Sequence, residues 1–418
     1  MTRLARRLRL LCLAPIPPRR DALHGGGRAI AELLVRLAEP YEVTLLCLRR
    51  PGEPSADPLL LERCAGVREV AVQGARGTLR RFAGRARVAA AIMRGTPAWV
   101  AGGTSREFSD LVREVAAAWQ PDIVQLEYHL MGAYLSALAG CSAPRVLRQI
   151  EPGAATARDR AGYRGGLARL AAPLDRRAWR RFEREVMAQV RVVVALTERD
   201  AASLRPLAGT TPIECIPLGV TPPSVAFNPA GQGEGELLFV GNFAHAPNLE
   251  ALDRLVRVIL PGVRSQCPDA VLRVVGPNAP ALLQGREREG LVLTGRVPDV
   301  SPFLDRAAVV LAPLYIGGGM RVKVMEAMAG GKAVVATPLG VEGLDVTDGD
   351  QVRIGRTDQE LIRAAVELLH HPDRRVRLAG RAREWAMSRL TWDRPAAAFD
   401  RLYQSLVPAV SGKPLRVG

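Results

Sequence analysis

The residues with the clearest chemistry lie in one short stretch, Gly317-Gly318-Gly319-Met320-Arg321-Val322-Lys323, with Glu326 three residues beyond it. Three consecutive glycines leave the backbone bare, so its N–H groups can approach a ligand closely. Arg321 and Lys323 add two positive charges, and Glu326 can accept hydrogen bonds from hydroxyl groups. Such a set is suited to a diphosphate that carries a sugar or ribose hydroxyl.

The flanking residues predict how this stretch is positioned. Residues 307–311 and 332–337 are short, apolar and β-branched, which is typical of buried parallel strands. Residues 322–329 contain helix formers and no breaker, so Glu326 is expected in the first helical turn. A glycine loop between strand and helix lies where α/β sheets bind ligands, and a helix N-terminus favours an anion. The sequence therefore favours a phosphate site over a flexible turn with solvated charges.

The same residues resemble the donor-binding region of retaining glycosyltransferases of family 4, which have the GT-B fold. That family carries two glutamates, with seven residues between them, ahead of an Ala-Met-Ala-x-Gly-x-Pro-Val-Val-like run. Glu326 matches the second glutamate, and the residues that follow it match the run. Gly318 stands where the first glutamate is expected. The pattern Gly-Gly-Gly-x-Arg-x-Lys resembles a subgroup that acts in bacterial polysaccharide assembly.

The resemblance implies a retaining transfer of a sugar from a nucleotide-sugar to a glycan or lipid-linked acceptor, in cell-surface or exopolysaccharide synthesis. It places Gly318, Gly319, Arg321 and Lys323 on the donor phosphates and Glu326 on donor hydroxyls. No cofactor and no metal ion are expected. The alternative is a non-catalytic GT-B subunit that binds a glycan or nucleotide and supports a partner transferase.

The alternation of strand and helix patterns over the 418 residues predicts an α/β protein with two Rossmann-like, doubly wound parallel-sheet domains. We expect an N-terminal acceptor-side domain at 1–216, a proline- and glycine-rich linker at 217–234 and a nucleotide-sugar-binding domain at 235–390. By resemblance the two domains face a central cleft, and a helix in 391–418 crosses back onto the first domain.

In the first domain, His24-Gly25-Gly26-Gly27 follows the first predicted strand, Leu8–Ala14, and is expected to be a loop before a helix at Arg28–Ala38. A His-Gly-Gly-Gly sequence can build an esterase oxyanion hole, but that fold needs a Gly-x-Ser-x-Gly elbow. The chain contains no such elbow. By resemblance, Gly26 and Gly27 lie against the donor diphosphate.

The first domain also supplies the catalytic candidates, Glu127 and His129, which follow a predicted strand at Asp122–Glu127. Many family members have a histidine where Glu127 stands, close to the reacting sugar. A purely structural role is the alternative for either residue. Glu151, after the next predicted strand, is a weaker candidate for acceptor contact.

In the second domain, many family members have an arginine and a lysine in the loop after the first strand. This chain has Gly241-Asn242-Phe243 there, so Asn242 is the donor-binding candidate and Arg321 and Lys323 are left to carry the diphosphate alone. Asp348-Gly349-Asp350 resembles an Asp-x-Asp metal motif. It follows no suitable strand, so we interpret it as a turn.

The charge of the chain is uneven. The formal net charge is +16, of which residues 1–215 carry +13. A predicted helix at Thr78–Arg94 contains Arg80, Arg81, Arg85 and Arg87, which suggests docking on an anionic membrane or acceptor. A solvated, arginine-rich face in a compositionally biased protein is the alternative. No aromatic–basic interleaving or DNA-binding motif indicates nucleic acid.

The six cysteines are scattered without Cys-x-x-Cys spacing, which predicts a reducing compartment and no metal cluster. No apolar run approaches the length of a membrane span. The sequence therefore predicts a cytoplasmic protein with peripheral contact at the inner membrane face. Its donor, acceptor and oligomeric state are not encoded in any motif that we recognise.

Overall fold

The computed structural model describes residues 6–22, 25–72, 90, 95–150, 152–153, 172–231, 233, 235–278 and 289–407. The predicted helix Thr78–Arg94, apart from Ala90, lies outside the described residues, as do His24 and Glu151. The chain divides into two compact units. Unit 1 comprises Met1–Pro217 with Asp393–Gly418, and unit 2 comprises Leu218–Trp392.

The described part of unit 1 contains a parallel sheet of seven strands in the order β3-β2-β1-β4-β5-β6-β7. The strands are β1 (Arg9–Ala14), β2 (Glu42–Arg49), β3 (Gly66–Ala71), β4 (Ile123–Glu127), β5 (Arg145–Gln149), β6 (Val192–Ala195) and β7 (Ile213–Cys215). The helices are α1 (Gly25–Leu37), α2 (Pro58–Arg63), α3 (Ala98–Gly103), α4 (Arg106–Trp119), α5 (Ala172–Met187) and α6 (Glu198–Ala208), with a 3-10 segment at His129–Leu138.

The described part of unit 2 contains a second parallel sheet, of six strands in the order β10-β9-β8-β11-β12-β13. The strands are β8 (Glu236–Val240), β9 (Val271–Val275), β10 (Leu291–Gly295), β11 (Val309–Ala312), β12 (Ala333–Ala336) and β13 (Arg353–Ile354). Helix α7 (Ala246–Arg254) continues through a π-helical turn at Leu255–Ile259 into α8 (Leu260–Arg264). The remaining helices are α9 (Ser301–Arg306), α10 (Val322–Ala329), α11 (Asp358–His370) and α12 (Pro372–Arg389), and α13 (Asp393–Leu406) returns to unit 1.

Simple sequence features explain these elements. The central strands are buried and apolar along their length, as in Val192–Ala195 and Val309–Ala312, because helices cover both faces of a parallel sheet. The side chain of Ser105 accepts the Phe108 N–H at the start of α4, and that of Thr357 accepts the Glu360 N–H at the start of α11. Among the described residues, no helix combines the length and the apolar character that a membrane span needs.

The order of the strands marks one ligand-binding edge in each unit. In unit 1 the chain leaves β1 towards β2 on one side and later returns to β4 on the other side, so β1 and β4 flank a topological switch point. In unit 2 the strands β8 and β11 flank the equivalent point. Open α/β sheets bind ligands in the crevice outside the carboxyl ends of such strands. Ligand-binding residues are therefore expected in the loops after β1, β4, β8 and β11.

Helix α13 is attached to unit 1 by a buried polar cluster of Gln125, Glu127, Arg148 and Tyr403. The Tyr403 hydroxyl donates to Gln125, and Arg148 Nη1 lies 3.4 Å from each carboxylate oxygen of Glu127. Neither member of the ion pair is more than 1% exposed. The Arg148 guanidinium also lies 5.6 Å from the ring centre of Phe399 in α13. The cluster thus couples β4 and β5 to the returning helix.

Replacing Arg148 by methionine is expected to lower the free energy of unfolding of unit 1 by about 3–5 kcal/mol, because the Glu127 carboxylate stays buried without its counter-charge. Urea denaturation followed by hydrogen exchange of peptides from β4 and α13 measures this loss locally. The double variant Glu127→Leu/Arg148→Met is the control, since an apolar pair of similar volume should regain most of the stability. A single variant as stable as the wild type would show that the pair is not a structural connection.

Candidate functional site

The glycine loop after β11 adopts a backbone that needs glycine. Gly317 has φ +104° and Gly319 has φ +70°, in the region that side chains other than glycine rarely adopt. A Cβ atom on Gly317 would also lie 2.8 Å from the ring of Pro247 at the start of α7. The loop therefore lies against α7, and Gly317 has no room for a side chain.

Arg321 ends this loop and immediately precedes α10. Its Nη1 donates a 2.6 Å hydrogen bond to the carbonyl of Gly318, so the guanidinium folds back over the glycine loop. Val322 and Lys323 are the first residues of α10, whose opening N–H groups have no acceptor within the helix. A charged side chain and helix N–H groups thus converge on the same edge of β11.

Lys323 is held by a neutral partner. Its Nζ donates to Oδ1 of Asn248 at 2.7 Å and lies 4.5 Å from the ring centre of the buried Phe239. The residue is half-buried overall, but its ammonium group lies against that apolar ring. Burial, together with the neighbouring charge of Arg321, lowers the pKa of Lys323 to about 7. The protonated amine is therefore costly here unless an anion joins it.

Asn248 links Lys323 to the loop after β8, where Asn242 lies. Nδ2 of Asn248 donates to the Asn242 carbonyl at 2.8 Å, and Oδ1 of Asn242 accepts the Ala244 N–H at 3.0 Å. Gly276 has φ +141°, and a Cβ there would lie 1.7 Å from the Gly241 carbonyl oxygen. The close packing of these two glycine backbones fixes the Asn242 loop next to Lys323.

Helix α7 also supports the glycine loop through Arg254. Its guanidinium lies 4.3 Å from the ring centre of Tyr315 and forms ion pairs of 2.8 Å with Glu250 and with Asp358. The Tyr315 hydroxyl lies 3.4 Å from Asp358, and burial, with the charge of Asp358, raises the pKa of Tyr315 to about 12. This network fixes the strand-end of the loop two residues before Gly317.

Glu326 lies further from the loop than the sequence suggested. Helix α10 begins at Val322 and has no acidic residue in its first turn, so Glu326 is in the second turn and the expectation of a first-turn position was wrong. The helix begins at the predicted residue, but Glu326 is its fifth residue and a turn contains only about 3.6 residues. Glu326 is half-buried on the same helix as Lys323.

In unit 1, the glycines after β1 are helical rather than in a loop. Helix α1 begins at Gly25, so Gly26 and Gly27 lie in its first turn, three residues earlier than the expected start. The small size of Gly26 matters there, because a Cβ on it would lie 1.8 Å from the Tyr128 hydroxyl oxygen. Tyr128 follows β4 with φ +65° and ψ 151°, a combination that costs about 1–3 kcal/mol in residues other than glycine. The two loops at the switch point of unit 1 therefore touch.

The structure separates Glu127 from the edge where it was expected. Its side chain is fully buried and paired with Arg148 beneath α13. Burial raises the pKa of Glu127, and the charge of Arg148 opposes that rise. Period-two alternation explains the position, because Glu127 lies on the same face of β4 as Gln125, which contacts α13. This geometry favours a structural role for Glu127, which the sequence had left as an alternative to catalysis.

His129 also lies inside unit 1, beyond the strained Tyr128. Its Nδ1 is 3.0 Å from Oε1 of Gln149, whose Nε2 donates to the buried Glu183 at 3.2 Å. The imidazole ring is 4.5 Å from the ring of Trp179 and 5.2 Å from that of Trp99, between ring centres. Only 3% of His129 is exposed. The sequence singled out neither tryptophan, because the helices that carry them are remote in the chain.

The Asp-Gly-Asp stretch forms a turn, as the sequence suggested. Asp348 accepts the Ile354 N–H at 2.7 Å, and Asp350 contacts Gln351 and Arg381. Among the described residues, no group of histidine, cysteine and carboxylate side chains has the arrangement of a metal site. All six cysteines fall within the described residues and are free thiols.

Comparisons with known proteins place this geometry in a family. Residues 23–222 match the model of Glycosyltransferase Family 4, and residues 234–371 match that of Glycosyl transferases group 1. The chain belongs to the glycosyltransferases of the GT-B fold. The comparison with curated proteins gives no match.

Solved structures support the fold of this glycosyltransferase. Sucrose-phosphate synthase from Thermosynechococcus elongatus is 17% identical, with a TM-score of 0.67 over 96% of this chain and 99% of that chain. WaaG, a glycosyltransferase involved in lipopolysaccharide biosynthesis, is 16% identical, with a TM-score of 0.62 over 96% and 100%. HepE from Anabaena, in complex with UDP and glucose, is 11% identical, with a TM-score of 0.63 over 95% and 99%. At these identities the likeness concerns the fold.

The lowered pKa of Lys323 gives a pH-dependent prediction for the glycosyltransferase. Above about pH 7 the free protein holds Lys323 neutral, so a nucleoside diphosphate that needs the ammonium must bind with uptake of a proton. Its affinity should then fall by up to about tenfold for each further pH unit until the Lys323 pKa of the complex is reached. Calorimetry in buffers of different ionisation enthalpy measures both the affinity and the proton uptake.

The variant Lys323→Arg is the matched control, because arginine stays charged throughout this range. Its affinity should not change between about pH 7 and pH 9, whatever its absolute value. A wild-type protein whose affinity is equally flat, with no proton taken up, would mean that Lys323 does not contact the diphosphate.

Proposed function

We propose that this glycosyltransferase moves a sugar, with retention, from a nucleotide-sugar to a glycan or lipid-linked acceptor in the synthesis of cell-surface polysaccharide. The observation that carries the proposal is that Lys323 lacks an anionic partner among the contacts the structure describes. Its ammonium lies against the Phe239 ring, its hydrogen-bond partner is the neutral Asn248, and the charge of Arg321 is close by. Such a cation is stabilised by a ligand with several negative charges, and a diphosphate has them.

In the proposed reaction, the bond between the sugar C1 and the diphosphate oxygen breaks, and its electron pair stays on the diphosphate. The acceptor hydroxyl forms the new bond to C1, and its proton goes to a phosphate oxygen of the leaving group. The barrier lies in the negative charge that develops on that oxygen. Arg321, Lys323 and the N–H groups at the start of α10 are placed to stabilise it.

The remaining candidates take supporting roles. Glu326, on the same helix as Lys323, accepts hydrogen bonds from hydroxyl groups of the donor and so orients it. Asn242 belongs to the loop that positions Asn248. Gly26 and Gly27 remain donor-binding candidates only by family resemblance, since Gly26 lies against the Tyr128 hydroxyl and Gly27 is buried. Glu127 supports β4 through Arg148, and the buried His129, packed against Trp179, takes a structural role in the same unit.

Similar structures indicate which donor to test first. HepE from Anabaena has been solved with UDP and glucose and with UDP-glucose. WaaG is involved in lipopolysaccharide biosynthesis. UDP-hexoses are therefore the first donors for this chain, and lipid-linked saccharides are the first acceptors. We expect the protein to act on the cytoplasmic side of the membrane, where nucleotide-sugars are available.

Replacing Arg321 or Lys323 by alanine should slow the release of nucleoside diphosphate from the donor by about 30- to 10³-fold, which corresponds to a loss of ~2–4 kcal/mol in transition-state stabilisation. Hydrolysis of UDP-hexoses without acceptor is a suitable assay, because it isolates the separation of sugar and diphosphate. Lys323→Arg should also be impaired, since the guanidinium differs from the ammonium in shape and hydration.

The matched control is Arg363→Ala, which removes an exposed arginine of the same unit on α11. It should hydrolyse the donor at the wild-type rate. Wild-type rates in Arg321→Ala or Lys323→Ala would contradict the assignment of that residue. A wild-type protein that binds UDP but never cleaves any donor would instead support a non-catalytic subunit.

Activity should survive an excess of chelator, since Arg321 and Lys323 supply the positive charge that a divalent ion provides elsewhere. The assay is donor hydrolysis before and after dialysis against EDTA. Loss of activity, restored by Mn²⁺ or Mg²⁺, would contradict this expectation and would make Asp348 and Asp350 candidate metal ligands.

A further inference from the structure

Helix α5 carries an unusual concentration of positive charge on its outer face. Five arginines within nine residues are exposed, namely Arg176, Arg177, Arg180, Arg181 and Arg184. At a rise of 1.5 Å per residue they cover about 12 Å along the helix axis. The only exposed carboxylate among these turns is Glu185, which pairs with Arg181 at 2.7 Å. We call this surface the α5 arginine face.

Among the described residues, no carboxylate neutralises the other four arginines of this face. Arg176, Arg177, Arg180 and Arg184 form no ion pair with any residue that the structure describes. Some arginines of unit 2 instead share a carboxylate. Glu236 binds Arg273 and Arg306, and Glu367 binds Arg353 and Arg374 in the same way. The α5 arginine face thus carries four positive charges that no described carboxylate neutralises.

The inner side of α5 explains why its acidic residues cannot neutralise the outer side. Asp175 accepts the Ala98 N–H at 3.0 Å, and Glu183 accepts the Gly153 N–H at 2.6 Å, so both carboxylates are committed to the interior of unit 1. Trp179 packs between them and is 4% exposed. The helix is thus held in one orientation, with its arginines directed to solvent.

Apolar side chains border the α5 arginine face at its N-terminal end. Leu174 is 53% exposed, and Trp99 is 37% exposed. The two residues belong to segments that are joined directly, because Asp175, next to Leu174, binds the N–H of Ala98, next to Trp99. Surfaces that lie in a lipid interface typically combine basic residues with exposed leucine and tryptophan.

We propose that the α5 arginine face, with Leu174 and Trp99 at its end, docks unit 1 on an anionic lipid bilayer. The arginines contact headgroup phosphates, and the two apolar side chains enter the boundary between headgroups and acyl chains. A soluble polyanion would satisfy the arginines but would offer nothing to Leu174. This surface goes beyond the proposed reaction, because binding to lipid requires no donor and no catalysis.

Vesicle co-sedimentation of the full chain tests the proposal. The vesicles are phosphatidylcholine alone or an equal mixture of phosphatidylcholine and phosphatidylglycerol, at low and at high salt. Wild type should sediment only with the anionic vesicles and should be released by salt, because exposed charges are screened beyond about 10 Å at ordinary ionic strength. Each arginine near such a surface contributes about fivefold to binding.

The diagnostic variant changes Arg176, Arg177, Arg180 and Arg184 to glutamine and should lose at least about tenfold in binding to anionic vesicles. A control variant changes four exposed arginines of unit 2 to glutamine, namely Arg257, Arg356, Arg363 and Arg389. Both variants lose the same net charge, so only the first should lose binding. Changing the four α5 arginines to lysine should retain it, which shows that the helix is folded and that charge is the requirement.

Three results would overturn the proposal. Wild type could stay in the supernatant with anionic vesicles at low salt, the unit 2 control could lose as much binding as the α5 variant, or a soluble polyanion could bind the α5 face while vesicles do not. Donor hydrolysis in solution keeps this test separate from the proposed function. An α5 glutamine variant that hydrolyses donor normally but leaves the vesicles would confirm docking and leave the reaction untouched.

Discussion

The chemistry of this chain depends on an electrostatic constraint at Lys323. A buried ammonium group loses hydration, and a neutral amide such as Asn248 recovers only part of that free energy. The nearby guanidinium of Arg321 adds like-charge repulsion, and the pKa of Lys323 falls to about 7. The site therefore stores an unfavourable interaction that a polyanionic ligand relieves. Arrangements of this kind are typical of functional sites, where pKa values are shifted by burial and by neighbouring charges.

Much of unit 2 serves to maintain this arrangement. Asn248 is held by the Asn242 loop, and that loop is fixed by the contact between Gly241 and Gly276. Arg254 packs on Tyr315 and ties α7 to Asp358 at the start of α11. These contacts lie at the switch point between β8 and β11, so the fold that brings the two strands together also brings the two loops together. The sheet topology that brings the two loops together thus also buries the ammonium group of Lys323.

The sequence was most informative where local patterns determine local structure. Helix α10 at Val322–Ala329 has the boundaries that its pattern predicted, and strands β1 and β4 end at Ala14 and Glu127 as their patterns predicted. Both parallel sheets followed from the alternation of strands and helices. The Arg321 and Lys323 pair was visible because glycines beside cations at the end of an apolar strand form a local signal.

The sequence was less informative where distant residues decide the outcome. Nothing near Glu127 in the chain indicates that Arg148 and α13 bury it. The glycines at 25–27 predicted a loop because glycine disfavours helix. In the structure they form the first turn of α1, where the Tyr128 hydroxyl leaves no room for a side chain on Gly26. Asn248 was not recognised as the partner of Lys323, since an asparagine at a helix start is more commonly a cap. Its position after Pro247, in the first turn of the helix that follows the β8 loop, was the available signal.

We propose that Lys323 and the glycine loop hold the diphosphate of the donor. The most direct measurement is a crystal structure of the protein with bound UDP. We expect the phosphate oxygens of UDP within hydrogen-bond distance of Lys323 Nζ and Arg321, over the backbone of Gly318 and Gly319. A diphosphate bound elsewhere, with Lys323 still paired only with Asn248, would contradict it.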